Sequence, residues 1–131
     1  MPTFRELLAQ AKSAIHEVDA AEADSRRGEA LFLDVREPEE YEQGAVPDAL
    51  HIPRGNLETQ VEGRVSDHDR PIVVYCASGY RSAIAVSLLR RDGMPKVANL
   101  VGGLAGWNAA QLRTVAARSD PPTKLMVSWL A

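Results

Sequence analysis

Pro71-Ile72-Val73-Val74-Tyr75-Cys76-Ala77-Ser78-Gly79-Tyr80-Arg81-Ser82 is the stretch whose reading decides the fold. Its first half is apolar, β-branched and opened by proline, the composition of a strand buried on both faces of a sheet. Its second half is small and polar. From Ser82 to Arg91 the apolar residues Ile84, Ala85, Leu88 and Leu89 fall on one helical face, and Gly93 is placed to end the helix. Strand, tight loop and helix come in succession, and Cys76 stands at the carboxyl end of the strand, where open α/β sheets bind their ligands.

Upstream, Leu31-Phe32-Leu33-Asp34-Val35 reads as a second buried strand, and Ala49-Leu50-His51-Ile52, closed by Pro53, as a short third. Between them Pro38 occupies a plausible first helical position with acids around it, and Gly44 stops that helix. Residues 54–61 have the length of a helical turn or two, and 62–70 reads as polar loop. Downstream, residues 96–101 read as a final strand, and Gly102-Gly103 turns the chain into a helix bearing Trp107. At the N-terminus a Thr3/Glu6 capping box and apolar spacing predict a helix over residues 3–15, and Asp19 with Glu22 starts a shorter one that ends near Gly28. Strands alternating with helices predict an α/β domain with a mainly parallel sheet. The expected organisation is an N-terminal helical segment packed on the domain (1–28), a core (29–115) and a tail (116–131).

The chain has 131 residues, 45% hydrophobic and 25% charged, which suits one globular domain with a real core. A net charge of −3 offers no basic footprint for nucleic acid or for an anionic membrane, and neither is expected as a partner. With one cysteine there is no internal disulfide and no CxxC zinc site, so no metal and no cofactor are expected. Charged residues interrupt the first 30 positions too often for a signal peptide or membrane span, and a cytoplasmic location is expected.

A lone intracellular cysteine is most often a small buried hydrophobe. Cys76 stands apart because of its neighbours in the chain. The small residues of Ala77-Ser78-Gly79 let the backbone curl so that successive N–H groups point inward ahead of a helix N-terminus, making an anion-binding nest. A thiolate held there, with Arg81 at the end of the loop, is expected to titrate below the roughly 8.5 of a free cysteine.

The stretches Leu33 to Glu37, Gly44 to Pro53, Val74 to Ser82, and Gly102-Gly103-Leu104-Ala105-Gly106-Trp107 together resemble the rhodanese family, in family order over roughly residues 30–110. The resemblance implies a three-layer domain with a five-stranded sheet flanked by helices. It implies a sulfurtransferase of the thiosulfate sulfurtransferase class. Cys76 would take sulfane sulfur as a persulfide from a donor such as thiosulfate or a persulfide, and pass it to a thiol, a cyanide-like acceptor or a protein. Ala77, Ser78, Gly79, Tyr80, Arg81 and Ser82 would form the active-site loop that binds the transferred sulfur, and Asp34 and Arg36 would support it. One cysteine suffices, because an external nucleophile discharges the intermediate.

Two competing readings come from the same fold. One is a binding or regulatory module without turnover; the presence of Cys76, Gly79 and Arg81 favours the enzyme. The other is a phosphatase-like or arsenate-reducing enzyme, whose loops place five residues between cysteine and arginine, where this chain has four, Ala77 to Tyr80. The chain also departs from the two-domain thiosulfate enzymes, with Ala77, Ser78 and Glu40 where those carry basic residues, which argues against thiosulfate as the physiological donor. His16, His51 and His68 show no ligand spacing. Trp107 reads as a core anchor, and Arg54 as a residue that could border the pocket.

Overall fold

The computed structural model describes residues 2–13 and 15–116. In chain order the elements are α1 (Phe4–Ser13), β1 (His16–Val18), α2 (Ala20–Ser25), β2 (Leu31–Asp34), α3 (Pro38–Glu42), β3 (Leu50–His51), α4 (Leu57–Arg64), β4 (Ile72–Tyr75), α5 (Tyr80–Arg91), β5 (Val97–Leu100) and α6 (Gly103–Ala109), with a 3₁₀ turn at Arg54–Asn56 before α4. The five strands form one sheet in the order β1-β5-β4-β2-β3, and every pairing is parallel. β4 is therefore central, and parallel neighbours on both sides explain its unbroken apolar sequence.

Alternation along the strands sorts the core into two layers. Leu33, Val35, Ile72, Val74, Cys76 and Val97 pack on one face against Leu57 and Val61 of α4 and Ala85, Val86 and Leu89 of α5. Phe32, Val73, Tyr75, Ala98 and Leu100 pack on the other against Ala23 of α2 and Trp107 of α6. Trp107 is fully buried, meets Phe32 edge-on at 5.7 Å between ring centroids, and donates its indole N–H to the Arg113 carbonyl at 2.8 Å. It anchors α6, as its sequence context suggested.

Local signals act where they were expected. The Glu6 N–H donates to Thr3 Oγ1 at 3.1 Å while the Thr3 N–H donates to Glu6 Oε1 at 3.1 Å, and the Glu22 N–H donates to Asp19 Oδ1 at 2.8 Å. Three segments differ from expectation. α4 continues to Arg64, into the stretch read as loop, because Leu57 and Val61 bury one face of it. α5 begins at Tyr80 rather than near Ser82, so Ser82 lies inside its first turn. His16–Val18 is an edge strand, its register pairing Glu17 with Asn99 and Val18 with Leu100. The segment 1–28 thus contributes a strand to the sheet as well as helices. From residue 117 onward the expected tail lies outside the described residues.

Candidate active site

Cys76 follows β4 at the carboxyl edge of the sheet and is 1% exposed. Its Sγ accepts from the Gly79 N–H at 3.1 Å and the Ser82 N–H at 3.4 Å, and lies 3.3 Å from the Ser82 hydroxyl. The cradle forms because Gly79 takes a left-handed conformation at φ 100°, which reverses the chain just ahead of α5. A side chain there would also press on the backbone of the next loop, since a Cβ would lie 3.3 Å from the Gly102 nitrogen and 3.4 Å from the Leu100 carbonyl oxygen.

That next loop braces the first. The Leu104 N–H donates to the Cys76 carbonyl at 2.8 Å and the Ala105 N–H to the Ala77 carbonyl at 3.0 Å. Gly103, at φ 57°, approaches so closely that a Cβ would lie 2.5 Å from the Cys76 carbonyl oxygen and 2.7 Å from the Ala77 carbonyl carbon. The double glycine after β5 is a packing requirement of the cysteine loop.

Burial is the largest influence on the Cys76 thiol and pushes its pKa up; the Ser82 hydroxyl and the N–H groups of Ser82, Ser78 and Gly79 outweigh it and bring the pKa below its ordinary value. These donors belong to the sequence-expected loop. Arg81 divides its charge between the cysteine and a carboxylate. Its guanidinium forks onto Glu40, Nη1 to Oε1 at 2.7 Å and Nη2 to Oε2 at 2.9 Å, although it also interacts with Cys76. Much of its charge is met by a carboxylate. Glu40 Oε1 also accepts from the Glu37 N–H at 2.9 Å, so the first turn of α3 is what presents that carboxylate. The Arg81 hydrogen bonds hold the Glu40 pKa down at about 2. Tyr80, next to Arg81 in the chain, is half exposed.

Asp34 and Arg36 are buried together and do not contact Cys76. The Arg36 guanidinium donates to both Asp34 oxygens, the shortest bond being 2.7 Å, and to the Gly44 carbonyl at 2.7 Å. Arg36 lies 5.7 Å from the centroid of the Tyr75 ring, whose hydroxyl accepts from the Val46 N–H at 3.1 Å. The pair ties β2 and its following loop to β4, one residue before the cysteine. His51 stacks on Tyr41 with ring centroids 4.2 Å apart, and its Nε2 lies 2.8 Å from the Arg36 carbonyl oxygen. Arg54 pairs with Glu58 at 3.2 Å. Among the described residues no three His, Cys, Asp or Glu side chains gather around a common point, and no helix is long and apolar enough to cross a membrane.

Asn99 is the site residue that sequence reasoning missed. Fully buried on β5, it accepts from the Ser82 hydroxyl at 2.6 Å and donates to the Gly79 carbonyl at 3.2 Å and to Glu17 Oε2 at 2.9 Å. A lone polar residue inside an otherwise apolar final strand was its only signal.

The rhodanese-like domain model matches residues 17–110. The chain belongs to the rhodanese-like domain family. A sulfurtransferase of Allochromatium vinosum is 34% identical over 105 residues, which cover 78% of this chain and 96% of that protein. Among solved structures, a thiosulfate sulfurtransferase from Pseudomonas aeruginosa superposes at a TM-score of 0.75 with 28% identity, covering 85% of this chain but 22% of that one. A Rhodopseudomonas palustris protein of unknown function, described as a possible tyrosine phosphatase, reaches a TM-score of 0.79 with 27% identity, covering 88% and 99% of the two chains. This rhodanese-like chain thus shares its fold with these solved structures and has a sulfurtransferase among its relatives.

Proposed function

We propose that this rhodanese-like domain transfers sulfane sulfur through a persulfide on Cys76. The observation that carries the reading is the cradle itself: a buried sulfur at the end of the central strand, ringed by N–H and O–H donors that favour its anionic form. The Cys76 thiolate attacks the outer sulfur of a donor R–S–SH. A bond forms between Sγ and that sulfur, the donor S–S bond breaks, and its electron pair leaves as R–S⁻. An acceptor thiolate then attacks the outer sulfur of Cys76–S–SH, and the Cys76 thiolate returns as leaving group. Each step exchanges one S–S bond for another, so no oxidant is consumed.

The narrow loop supports sulfur over phosphorus. Four residues separate Cys76 from Arg81, and the donors that act on Cys76 converge on its own Sγ. Glu40, paired with Arg81 at the end of the cysteine loop, adds negative charge there, which favours an alkyl persulfide or other low-charge donor over dianionic thiosulfate. The acceptor is then a small thiol or a protein thiol.

The test is to incubate the protein with thiosulfate, 3-mercaptopyruvate and glutathione persulfide in turn and to weigh it intact. A gain of one sulfur atom, absent from Cys76→Ser, and its loss on adding a thiol are expected, with no turnover of an aryl phosphate. Transfer by a folded Cys76→Ser protein would sink the assignment, and phosphatase turnover that depends on Cys76 would favour the other chemistry of the fold.

A further inference from the structure

The Ser82 hydroxyl carries one hydrogen and faces two acceptors, Asn99 Oδ1 at 2.6 Å and Cys76 Sγ at 3.3 Å. The orientation of the Asn99 amide is not free. Its Nδ2 faces the Gly79 carbonyl and the Glu17 carboxylate, and neither can donate, so the nitrogen must point at them and the oxygen at Ser82. An amide oxygen only accepts. In the thiol state Ser82 therefore gives its hydrogen to Asn99, at the shorter distance, and its lone pair is left to receive the S–H of Cys76. In the thiolate state the sulfur can only accept, and the hydroxyl has to turn toward it to stabilise the charge.

We propose that Asn99 is a positioning residue that keeps the Ser82 hydrogen off the resting Cys76 thiol and yields it when the sulfur becomes anionic. The consequence for chemistry lies in the second step. When an acceptor takes the outer sulfur, Cys76 leaves as a thiolate, and a hydroxyl 3.3 Å away turns to meet it. When the thiol is reprotonated, Asn99 takes the hydrogen back. The device is held in register by β1, because Glu17 and Asn99 are direct partners across the β1/β5 ladder. Its other charged neighbours are Arg81 on α5, paired with Glu40 of α3, and the Asp34–Arg36 pair beyond β2, which does not touch the sulfur. This rests on the reading of Cys76 as the sulfur-carrying group, but its test reads the thiol rather than transfer, so the two can fail separately.

Asn99→Leu keeps the volume and removes the competing acceptor. The freed Ser82 hydrogen then turns permanently to the sulfur, and the Cys76 pKa, followed by thiolate absorbance, should fall by about 0.5–1 pH unit, three- to ten-fold more thiolate below the midpoint. Asn99→Asp retains an acceptor toward Ser82 and adds charge, so its thiol pKa should rise. In a Ser82→Ala background Asn99→Leu should move the pKa no further. A purely structural role predicts the reverse for Asn99→Leu, a rise as the cradle loosens, and that result, or an equal fall in the Ser82→Ala background, would overturn the proposal. Should Asn99→Leu not fold, the native protein supplies the test: the ¹³C shift of the Asn99 side-chain carbonyl should step at the Cys76 midpoint, and the step should vanish in Cys76→Ser. A carbonyl signal that passes through that midpoint unchanged would equally overturn it.

Discussion

A thiol that is 1% exposed ionises only if the protein replaces the water it has lost. At Cys76 the replacement is mostly backbone and hydroxyl hydrogen bonds, and Arg81, a cation that interacts with it, is shared with Glu40. Alkylation of Cys76 should therefore follow a midpoint below that of an unfolded cysteine. Because the folded value lies below the unfolded one, ionisation of the thiol adds stability above the unfolded midpoint, and that contribution disappears as pH falls through the folded one. Arg81→Ala should raise the midpoint, since it removes the cation and leaves the Glu40 carboxylate uncompensated; an unchanged alkylation profile would show that the backbone cradle acts alone. Glu40→Gln should do the opposite, lowering the thiol midpoint and improving reaction with anionic donors at low salt. Glu40 itself, held at about 2 from an ordinary 4.5, stabilises the fold above pH 4.5 and ceases to as pH falls toward 2. Both partners are more than a third exposed, at 38% and 35%, so the stability gap between native protein and Glu40→Gln should stay under about 1 kcal/mol at neutral pH and close on acidification. Thermal melts across that range check it.

Among the elements, the loop before α6 constrains the cysteine loop more tightly than the cysteine's own helix does. Gly103→Ala would place a methyl group 2.5 Å from the Cys76 carbonyl oxygen in a backbone conformation that already disfavours side chains. A cost of about 2–4 kcal/mol and slower persulfide formation are expected. Gly63→Ala in α4 is the matched control: an added methyl meets nothing within 4 Å, and stability should change by no more than about 1 kcal/mol, upward. Equal melting temperatures for the two variants would refute the packing argument. Elements whose signals are local were legible in the sequence. Pro38 and Gly44 bounded α3, Pro71 and the β-branched run announced β4, and Cys76 with its loop stood out by chemistry. β1 was not legible, because a three-residue edge strand containing His16 and Glu17 has no periodicity to read and exists only through its ladder with β5. Asn99 was missed for the same reason: what it does depends on β5 lying between β4 and β1.

For the whole molecule, the order β1-β5-β4-β2-β3 makes the N-terminal strand the cover of the last one. Deleting residues 2–18 should expose the edge of β5, free Asn99 from Glu17, lower the melting temperature and promote self-association, measurable by thermal melting and size-exclusion chromatography. A truncated protein as stable as the intact one, and eluting in the same oligomeric state, would mean that β1 is dispensable. The same order carries a consequence for biogenesis. As the chain emerges from the ribosome, β2, β3 and β4 can pair as soon as Tyr75 is out, but β1 has waited since residue 18 for a partner that ends at Leu100. The bonds that brace the cysteine loop come later still, from Leu104 and Ala105. A nascent chain that already displays Cys76 therefore lacks the braces of its cradle until Leu104 and Ala105 have followed it out.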